Sequence, residues 1–433
     1  MPPRLEKWWV LTAVVFAACS SEQPAPSITW HRDVAPLVQE RCGGCHVEGG
    51  IAPFALQTHA QASEWRAEIR ESVRSRRMPP WQPGPGCAEY HGDTSLSEEQ
   101  IALITQWVDA GAPEGNVREA RPVPPSPSGG LSRVDIELRM PLEYTPQKHP
   151  EDDYRCFILD WPEGQARYIT GFNGKPGTQA QIHHLIAYLI RPEEVAQVQA
   201  LDEAEPGPGY TCFGGPGNAG APTWLGAWAP GFIGGDYPER TGLEVPPGSK
   251  VVLQVHYNTH GVAPSPDRTS LQFTLEEQVD TPAYVLLWAD AAWVVEKTME
   301  IPAGQADVMH RWKSEPSSLL EAVTRGAVPN GQPLTLHTAG LHMHTLGTRA
   351  RLEVLRAAGE TECLLDIPRW DFNWQNIYRL REPRQLRPGD QLAIECHWNN
   401  SAPGAVDTNW GEGTRDEMCL GILYMTPGLP TLR

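Results

Sequence analysis

The sequence lacks an excess of basic residues. Its 433 residues carry 35 Lys and Arg against 53 Asp and Glu, which gives a formal net charge of −18 at pH 7. Nucleic acids and anionic membrane surfaces are bound largely through positive charge. The composition therefore argues against both as partners.

Long hydrophobic runs are also missing after the first segment. That segment has an apolar run from Trp8 to Ala18, which is too short to span a bilayer but suits the core of an export signal. Its ending, Phe16-Ala-Ala-Cys19, resembles a bacterial lipoprotein signal, in which the cysteine is lipidated. An uncleaved N-terminal anchor would also place the rest of the chain outside the cytoplasm. We expect residues 1–19 to direct export, to the periplasm or to a lipid anchor through Cys19 on the bacterial outer membrane.

The first unit after the signal, residues 28–115, contains the motif Cys42-Gly-Gly-Cys45-His46. Two thiols and an adjacent histidine are the attachment motif for covalent haem c. A zinc site would need a second ligand pair nearby, and a redox dithiol would not need His46. The motif therefore predicts one haem, bound by Cys42 and Cys45 and ligated by His46.

The second axial ligand of that haem is predicted to be Met78, the only methionine in the unit. A thioether ligand raises the haem potential and suits electron transfer. If Met78 only packs in the core, His59 or His91 could ligate instead. Predicted helices at 33–41 and 63–77, and a third after the capping box at Ser97, make the unit resemble a class I cytochrome c.

Residues 116–130 are rich in Pro and Gly and are predicted to be a linker. Beyond them the hydrophobic pattern changes to alternation, at 134–138, 250–257 and 419–424, which is typical of antiparallel strands. With 42 prolines and 40 glycines in the chain, many short strands and turns are expected.

Histidines and one methionine in these strands are candidate metal ligands. His342 and His344 are two residues apart, so on a strand both would face the same side. A pair of half-buried strand histidines is the alternative. A His183-His184 pair, His256 and Met418 occur elsewhere in the same region, and imidazoles with one thioether are a ligand set suited to copper.

Residues from about 134 to 427 resemble the copper type II monooxygenases, the family of peptidylglycine α-hydroxylating monooxygenase and dopamine β-monooxygenase. The short motifs that carry the resemblance occur in the family's order; they are Asp153-Tyr-Arg-Cys156, His183-His184, Leu253-Gln-Val-His-Tyr257, His342-x-His344, Pro388-Gly-Asp390 before Cys396, and Asp416-Glu-Met-Cys419. The resemblance implies two all-β antiparallel sandwich domains, jelly-roll-like, at 131–285 and 286–433, which would follow the small all-α cytochrome c domain predicted at 28–115.

The resemblance also implies two copper ions with different roles. His183, His184 and His256 would hold an electron-transfer copper, and His342, His344 and Met418 a copper that activates O₂ to hydroxylate a substrate C–H bond. Neighbouring residues on a regular strand face opposite ways, so His183 and His184 can reach one copper only through a bulge or through different ring nitrogens. One buried and one exposed histidine is the alternative.

Six cysteines remain besides Cys19 and the haem pair, and an oxidising compartment permits disulfides. The resemblance implies two of them, Cys156 with Cys212 and Cys396 with Cys419. Cys87 and Cys363 have no family partner. They could be free or could bridge the haem unit to the last domain.

The substrate is expected to differ from that of the peptide-amidating relatives. The positions at which those relatives hold a substrate carboxylate correspond here to Gly340, Leu420 and Ile422, none of which can pair with a carboxylate. A smaller or more apolar substrate is expected, with electrons supplied through the haem unit from an upstream donor. The alternatives are an exported haem and copper protein that transfers electrons or binds copper without hydroxylating anything, and a purely structural sandwich with a degenerate site.

Overall fold

The computed structural model describes residues 28–48, 52–122, 130–147, 152–217, 223–230, 232 and 234–428. The predicted signal and Cys19 lie outside these ranges, as do residues 123–129 of the predicted linker. Within the described residues, no helix is long and apolar enough to cross a membrane.

The helices of the described residues are short. They are α1 (Ala35–Arg41), α2 (His59–Glu64), α3 (Arg66–Arg74), α4 (Glu98–Asp109), α5 (Val195–Ala204), α6 (Ala291–Val295) and α7 (Ser317–Val323). A π-helical turn, Trp30–Val34, precedes α1.

Residues between 28 and 122 form helices and, where described, no strand longer than an isolated bridge. The predicted capping box is present, because Ser97 and Gln100 each accept a hydrogen bond from the other's backbone N–H at the start of α4. Ile104 and Trp107 of α4 are buried, with Trp107 packed against Trp30. The helix predicted at 63–77 is in fact two, because the chain turns at Trp65, between α2 and α3.

The rest of the chain is mostly β. The strands are β1 (Ile136–Arg139), β2 (Asp152–Asp160), β3 (Arg167–Lys175), β4 (Ile182–Ile190), β5 (Tyr210–Thr211), β6 (Thr223–Trp228), β7 (Gly235–Asp236), β8 (Thr241–Val245), β9 (Lys250–Asn258), β10 (Ser270–Glu276), β11 (Thr281–Pro282), β12 (Tyr284–Trp288), β13 (Val308–Ser314), β14 (Leu334–His342), β15 (Gly347–Leu355), β16 (Thr361–Ile367), β17 (Ile377–Leu386), β18 (Gln391–Trp398) and β19 (Leu420–Pro427).

These strands form four sheets, two from each half of the β region. The first half has the orders β1-β10-β3-β8-β11, with β7 beside β3, and β5-β2-β9-β4-β6. The second half has the orders β12-β19-β14-β17 and β13-β18-β15-β16. Except for the short β8–β11 contact, the pairs are antiparallel. The predicted domain boundary at 285/286 falls inside β12, which pairs with β19 of the second half.

The predicted alternation of β9 is absent from the structure. Val251 to Tyr257 are all buried, because β9 lies between β2 and β4 and is covered on both faces. One face joins the core shared with the facing sheet, through Leu253 and Val255. The other face packs through Val252 against a smaller cluster that includes Val198 of α5. A central strand covered on both sides gives no period-2 pattern of burial.

Three disulfides connect the described residues: Cys156–Cys212, Cys396–Cys419 and Cys87–Cys363. The first two are the pairs that the family resemblance implies. The third joins the helical unit to β16 across 276 residues of sequence. Gly84 and Tyr90 add hydrogen bonds to Asp366 and Leu364 beside it, so the helical unit is fastened to the second half of the β region.

Candidate metal centres

His183, His184 and His256 form one compact group of imidazoles. The first two lie at the start of β4, and His256 lies on β9 opposite His184. The Nδ1 atoms of His183 and His184 are 3.1 Å apart, and that of His256 is 3.2 Å and 3.4 Å from them. Three converging ring nitrogens at this spacing can hold one metal ion.

A β-bulge allows the two adjacent histidines to converge. The register of β4 against β9 shifts between Ile182 and His184, so one extra residue re-aims a side chain that would otherwise face the other side of the sheet. All three histidines present the same nitrogen, Nδ1, so the alternative of different ring nitrogens is not used.

The three imidazoles are held neutral. Burial first, and then the charge of neighbouring histidines, lowers the pKa of His183 and His184 well below the usual value. Burial also lowers the pKa of His256, although Asp152 opposes the shift. Metal binding requires unprotonated imidazole, so the group is ready to coordinate at neutral pH.

Asp152 orients His256 from behind. Its Oδ1 accepts a hydrogen bond from His256 Nε2 at 2.9 Å, which fixes the proton on Nε2 and leaves Nδ1 free to face the group. Burial alone would raise the pKa of Asp152, but hydrogen bonds from His256 and Thr414 hold it below its usual range. Rings also pack on the group: Tyr154 stacks on His256 at 4.0 Å and Phe372 on His183 at 4.4 Å.

His342, His344 and Met418 line one cavity beside the first group. His342 ends β14, and the two imidazole centroids are 5.0 Å apart. Nδ1 of His342 lies 2.5 Å from Gln375 Oε1, and Nδ1 of His344 lies 2.9 Å from the Asp416 carbonyl oxygen. When these Nδ1–H groups donate, both Nε2 atoms are left as ligands.

This second group is also neutral and enclosed. Burial lowers the pKa of His342 to about 4 and that of His344 to about 3. Met418 is 6% exposed and precedes the disulfide-bonded Cys419. Two imidazoles and a thioether suit copper, since soft sulfur favours Cu(I).

Glu417 secures the loop that carries His344. Its carboxylate accepts hydrogen bonds from the backbone N–H groups of His344 and Leu346, at 2.9 Å and 2.6 Å, and from Trp398 Nε1 at 2.9 Å. Burial raises the pKa of Glu417 to about 7, while these donors oppose the shift.

The two groups adjoin through His184 and His342, which both line the cavity. The ring centroids of His184 and His342 are 6.5 Å apart, and the cavity that both line has a volume of about 340 Å³. Most of its walls are apolar, including Leu420 and Ile422, two of the positions predicted to correspond to carboxylate-binding residues in peptide-amidating relatives. The third, Gly340, lies opposite Ile422 on β14. Glu412 provides the single carboxyl side chain among the described lining residues.

The haem motif forms a turn after α1. His46 and Cys45 donate backbone hydrogen bonds to the Cys42 carbonyl oxygen, so the two thiols and the imidazole share one turn. Cys42 and Cys45 are unpaired, whereas the other cysteines in the described residues form disulfides. Burial, with the neighbouring Cys45, raises the pKa of Cys42 to about 12.

His46 is oriented so that it could serve as an iron ligand. Its Nδ1 lies 3.0 Å from the Phe54 carbonyl oxygen, so Nε2 is left unprotonated for a metal. Met78 follows α3 and is half-buried. His59, one alternative ligand, has its Nε2 2.8 Å from the Ala112 carbonyl oxygen and is engaged there.

Sequence reasoning missed several residues that hold these groups in place. Asp152 and Glu417 adjoin or lie within the recognised motifs, so their acidic character beside candidate ligands was an available signal. Phe372 and Gln375 lie in a loop after β16 with no motif. Only the fold brings them to His183 and His342.

Comparison with known proteins agrees with this geometry. Residues 295–430 match the copper type II ascorbate-dependent monooxygenase C-terminal domain. The chain is 31% identical over 223 residues to DBH-like monooxygenase protein 1 of Gallus gallus, covering 48% of this chain and 33% of that protein. It is 24% identical over 327 residues to dopamine beta-hydroxylase of Homo sapiens, covering 72% of this chain and 49% of that protein.

The matched region therefore spans half or less of each of these relatives. Among solved structures, the major capsid protein P2 of bacteriophage PM2 aligns with a TM-score of 0.24 and 7% identity, over 65% of this chain and 99% of that one. A likeness this weak carries no functional argument.

Proposed function

We propose that this chain, whose residues 295–430 match the C-terminal domain of the copper type II ascorbate-dependent monooxygenases, hydroxylates a small, largely apolar substrate. The observation that carries the proposal is the pair of ligand groups on one cavity, with His184 and His342 6.5 Å apart by ring centroid. Three imidazoles on one side and two imidazoles with a thioether on the other are the donor sets of two copper ions with different roles.

Bound copper would supply the redox chemistry of the reaction, in which R–H, O₂, two electrons and two protons give R–OH and H₂O. The protein's own residues keep the ligands neutral, fix their tautomers through Asp152, Gln375 and the Asp416 carbonyl oxygen, and exclude water with apolar walls. A substrate that fills a cavity of about 340 Å³ has to be small.

The apolar lining supports an apolar substrate over a peptide C-terminus. Leu420 and Ile422 offer no donor to a carboxylate, and Gly340 has no side chain. Glu412, at the same cavity, would repel an anionic substrate when ionised.

Electrons are proposed to enter through a covalent haem c on Cys42 and Cys45, with His46 and Met78 as axial ligands. The unpaired thiols and the free Nε2 of His46 support this assignment. An external one-electron donor would reduce the haem once for each of the two electrons that a turnover consumes. Export to the periplasm, with or without a lipid on Cys19, suits both disulfide formation and periplasmic haem attachment.

The proposal is tested with protein loaded with haem and copper. We expect one covalent haem and two copper ions per chain, and O₂ consumption that depends on an added substrate and reductant. Changing Met418 to Ile should remove the Cu–S scattering of the reduced protein and the O₂ consumption, while the copper on His183, His184 and His256 stays bound.

Four results would count against the proposal. Copper lost equally from both groups in Met418→Ile, or a Cu–S signal that persists, would show that Met418 is not a ligand. For the haem, a Cys42→Ala, Cys45→Ala variant that still gave a covalent haem c spectrum would overturn the attachment site. Two bound coppers without substrate-dependent O₂ consumption would favour an electron-transfer or copper-binding protein.

A further inference from the structure

Residues 369–378, the loop after β16 and the first residues of β17, contact the haem unit and both ligand groups. We name them the bridge segment. At its start, Arg369 donates hydrogen bonds to the backbone carbonyl oxygens of Ser75 and Arg76, at 2.7 Å and 2.5 Å. The bridge segment is therefore fastened to the stretch of the helical unit that carries Met78.

The next contacts run from that stretch into the bridge segment. Gln82 is buried, and its Nε2 donates to the Asp371 carbonyl oxygen at 2.7 Å. Trp81, one residue earlier, packs edge-on against Tyr378 with ring centroids 5.2 Å apart. Gln82 lies four residues after Met78 in the sequence, so a continuous stretch of chain leads from the predicted iron ligand to the bridge segment.

The far side of the bridge segment touches the ligands of both groups. Phe372, covalently next to Asp371, stacks on His183 at 4.4 Å with the rings 20° from parallel. Trp370 Nε1 donates to the His344 carbonyl oxygen at 3.1 Å. Gln375 Oε1 lies 2.5 Å from His342 Nδ1. One loop of the second β half therefore reaches three separate sites.

We propose that the bridge segment carries the electron from the haem unit to the three-histidine group, through the Gln82–Asp371 hydrogen bond and the Phe372 ring on His183. The step transfers one electron: haem iron goes from Fe²⁺ to Fe³⁺ and copper from Cu²⁺ to Cu⁺. This inference rests on the proposed function, because it requires both the haem and the copper.

The route ends at His183 for a structural reason. From Asp371, one peptide unit leads to Phe372, whose ring is stacked directly on a ligand imidazole. A competing route would pass from Trp81 to Tyr378. It would then follow three residues of backbone from Tyr378 to Gln375, whose side chain contacts His342. Electronic coupling falls with each additional bond or gap, so the shorter route is the more strongly coupled.

The test is anaerobic stopped-flow on the full chain, with haem reduced, excess reductant removed and copper oxidised. Haem reoxidation is followed by its absorbance. We expect Phe372→Leu to slow reoxidation by at least several-fold and Phe372→Tyr, which keeps the ring, to restore the rate. Gln82→Met, which removes the hydrogen bond without touching the copper ligands, should slow it as well.

A matched control removes a ring on the opposite side of the same group. Phe213 packs edge-on against Tyr154, which stacks on His256, and is 59% exposed. Phe213→Leu should leave the rate unchanged. Copper content and the Cu²⁺ spectrum of each variant are recorded beside the rate.

The outcomes separate this inference from the proposed function. If the haem of the unaltered protein stays reduced beside oxidised copper, the haem is not the donor and the proposed function loses its electron route. If that haem is reoxidised but Gln82→Met and Phe372→Leu match the unaltered rate, the donor stands and the bridge route is wrong. If Tyr378→Leu is the one variant that slows haem reoxidation, the proposed route to His183 is wrong and the electron enters the copper sites at His342.

Discussion

At the scale of single residues, the chemistry depends on which nitrogen each imidazole presents. The first group uses Nδ1 throughout, with Nε2 of His256 tied to Asp152. In the second group the Nδ1 atoms of His342 and His344 are tied to Gln375 and the Asp416 carbonyl oxygen. Partners behind the ligands therefore decide the coordination as much as the ligands themselves.

We predict that Asp152→Asn weakens copper binding at the three-histidine group. The asparagine amide is uncharged, so it is a weaker acceptor than the carboxylate for the Nε2–H of His256. Loss of such a partner typically costs about 10–100-fold in metal affinity. Copper affinity is measured by competition with a chelator. Asp153→Asn is the matched control, because Asp153 accepts hydrogen bonds from Tyr144 and Gln147 and acts on His256 only through its charge. Equal affinities in both variants would contradict the role given to Asp152.

A second prediction concerns Glu412 and pH. Burial raises the pKa of Glu412 from 4.5 to about 7, so between those pH values the folded protein holds a proton that the unfolded chain releases. Stability therefore falls as pH rises through this window. The full effect is on the order of 3 kcal/mol if the whole shift applies.

Glu412→Gln should remove the loss of folding stability that the parent protein shows as pH rises. Urea unfolding of copper-free protein at several pH values should show the variant gaining stability relative to the parent as pH rises from about 4.5 to 7. Parallel pH profiles for the two proteins would show that Glu412 does not titrate in this window.

At the scale of elements, the structure shows which parts of the fold the sequence could predict. The helix cap at Ser97 follows local rules, and so it was predictable. Strand geometry alone predicted either a bulge or the use of different ring nitrogens at His183 and His184, and the register shift provides the bulge. By contrast, the coverage of β9 on both faces depends on long-range packing that no local pattern reveals.

Long-range contacts also explain what the sequence did not predict at the site. Phe372 and Gln375 reach His183 and His342 only because the fold brings the loop after β16 against both groups. The Cys87–Cys363 bond was left open, since 276 residues separate the partners and neither belongs to a recognised motif. Pairings at such separation depend on the final fold.

The Cys396–Cys419 disulfide joins β18 to the residue after Met418. Replacing both cysteines with Ser should weaken copper binding at the group with Met418 more than at the three-histidine group, since the loop before β19 gains freedom. The loss of stability is expected to be about 2–4 kcal/mol. Copper release from each site is followed by the Cu–S signal and by total copper.

The matched control for that variant is Cys87→Ser, Cys363→Ser. This change removes a disulfide of the same protein that contacts neither ligand group. A similar loss of Met418-site copper in both variants would mean that the effect reports general loosening of the fold.

At the scale of the whole molecule, the helical unit is joined firmly to the second half of the β region. The sequence predicted a linker at 116–130 as their connection, and a flexible tether would keep donor and acceptor close. The structure adds the Cys87–Cys363 bond, the Tyr90 bridge to Leu380 and the packing of Trp81 on Tyr378. Docking therefore depends on a defined surface between the helical unit and the second β half.

This arrangement places three predicted redox sites around one segment of chain. Electrons from an external donor would enter at the haem, cross the bridge segment and reach two ligand groups that adjoin through His184 and His342. The apolar cavity between the groups would hold the substrate. Each part has a separate test, but the central claim is the hydroxylation itself.

The measurement that tests this claim most directly is the fate of ¹⁸O₂. Protein loaded with haem and copper is reduced and mixed with ¹⁸O₂ and a panel of small apolar compounds, and products are analysed by mass spectrometry. The account predicts one ¹⁸O atom in a hydroxylated product and one in water, with two electrons consumed per turnover and no product from Met418→Ile. Label found only in water or peroxide with every compound, or a hydroxylated product that persists in Met418→Ile, would contradict it.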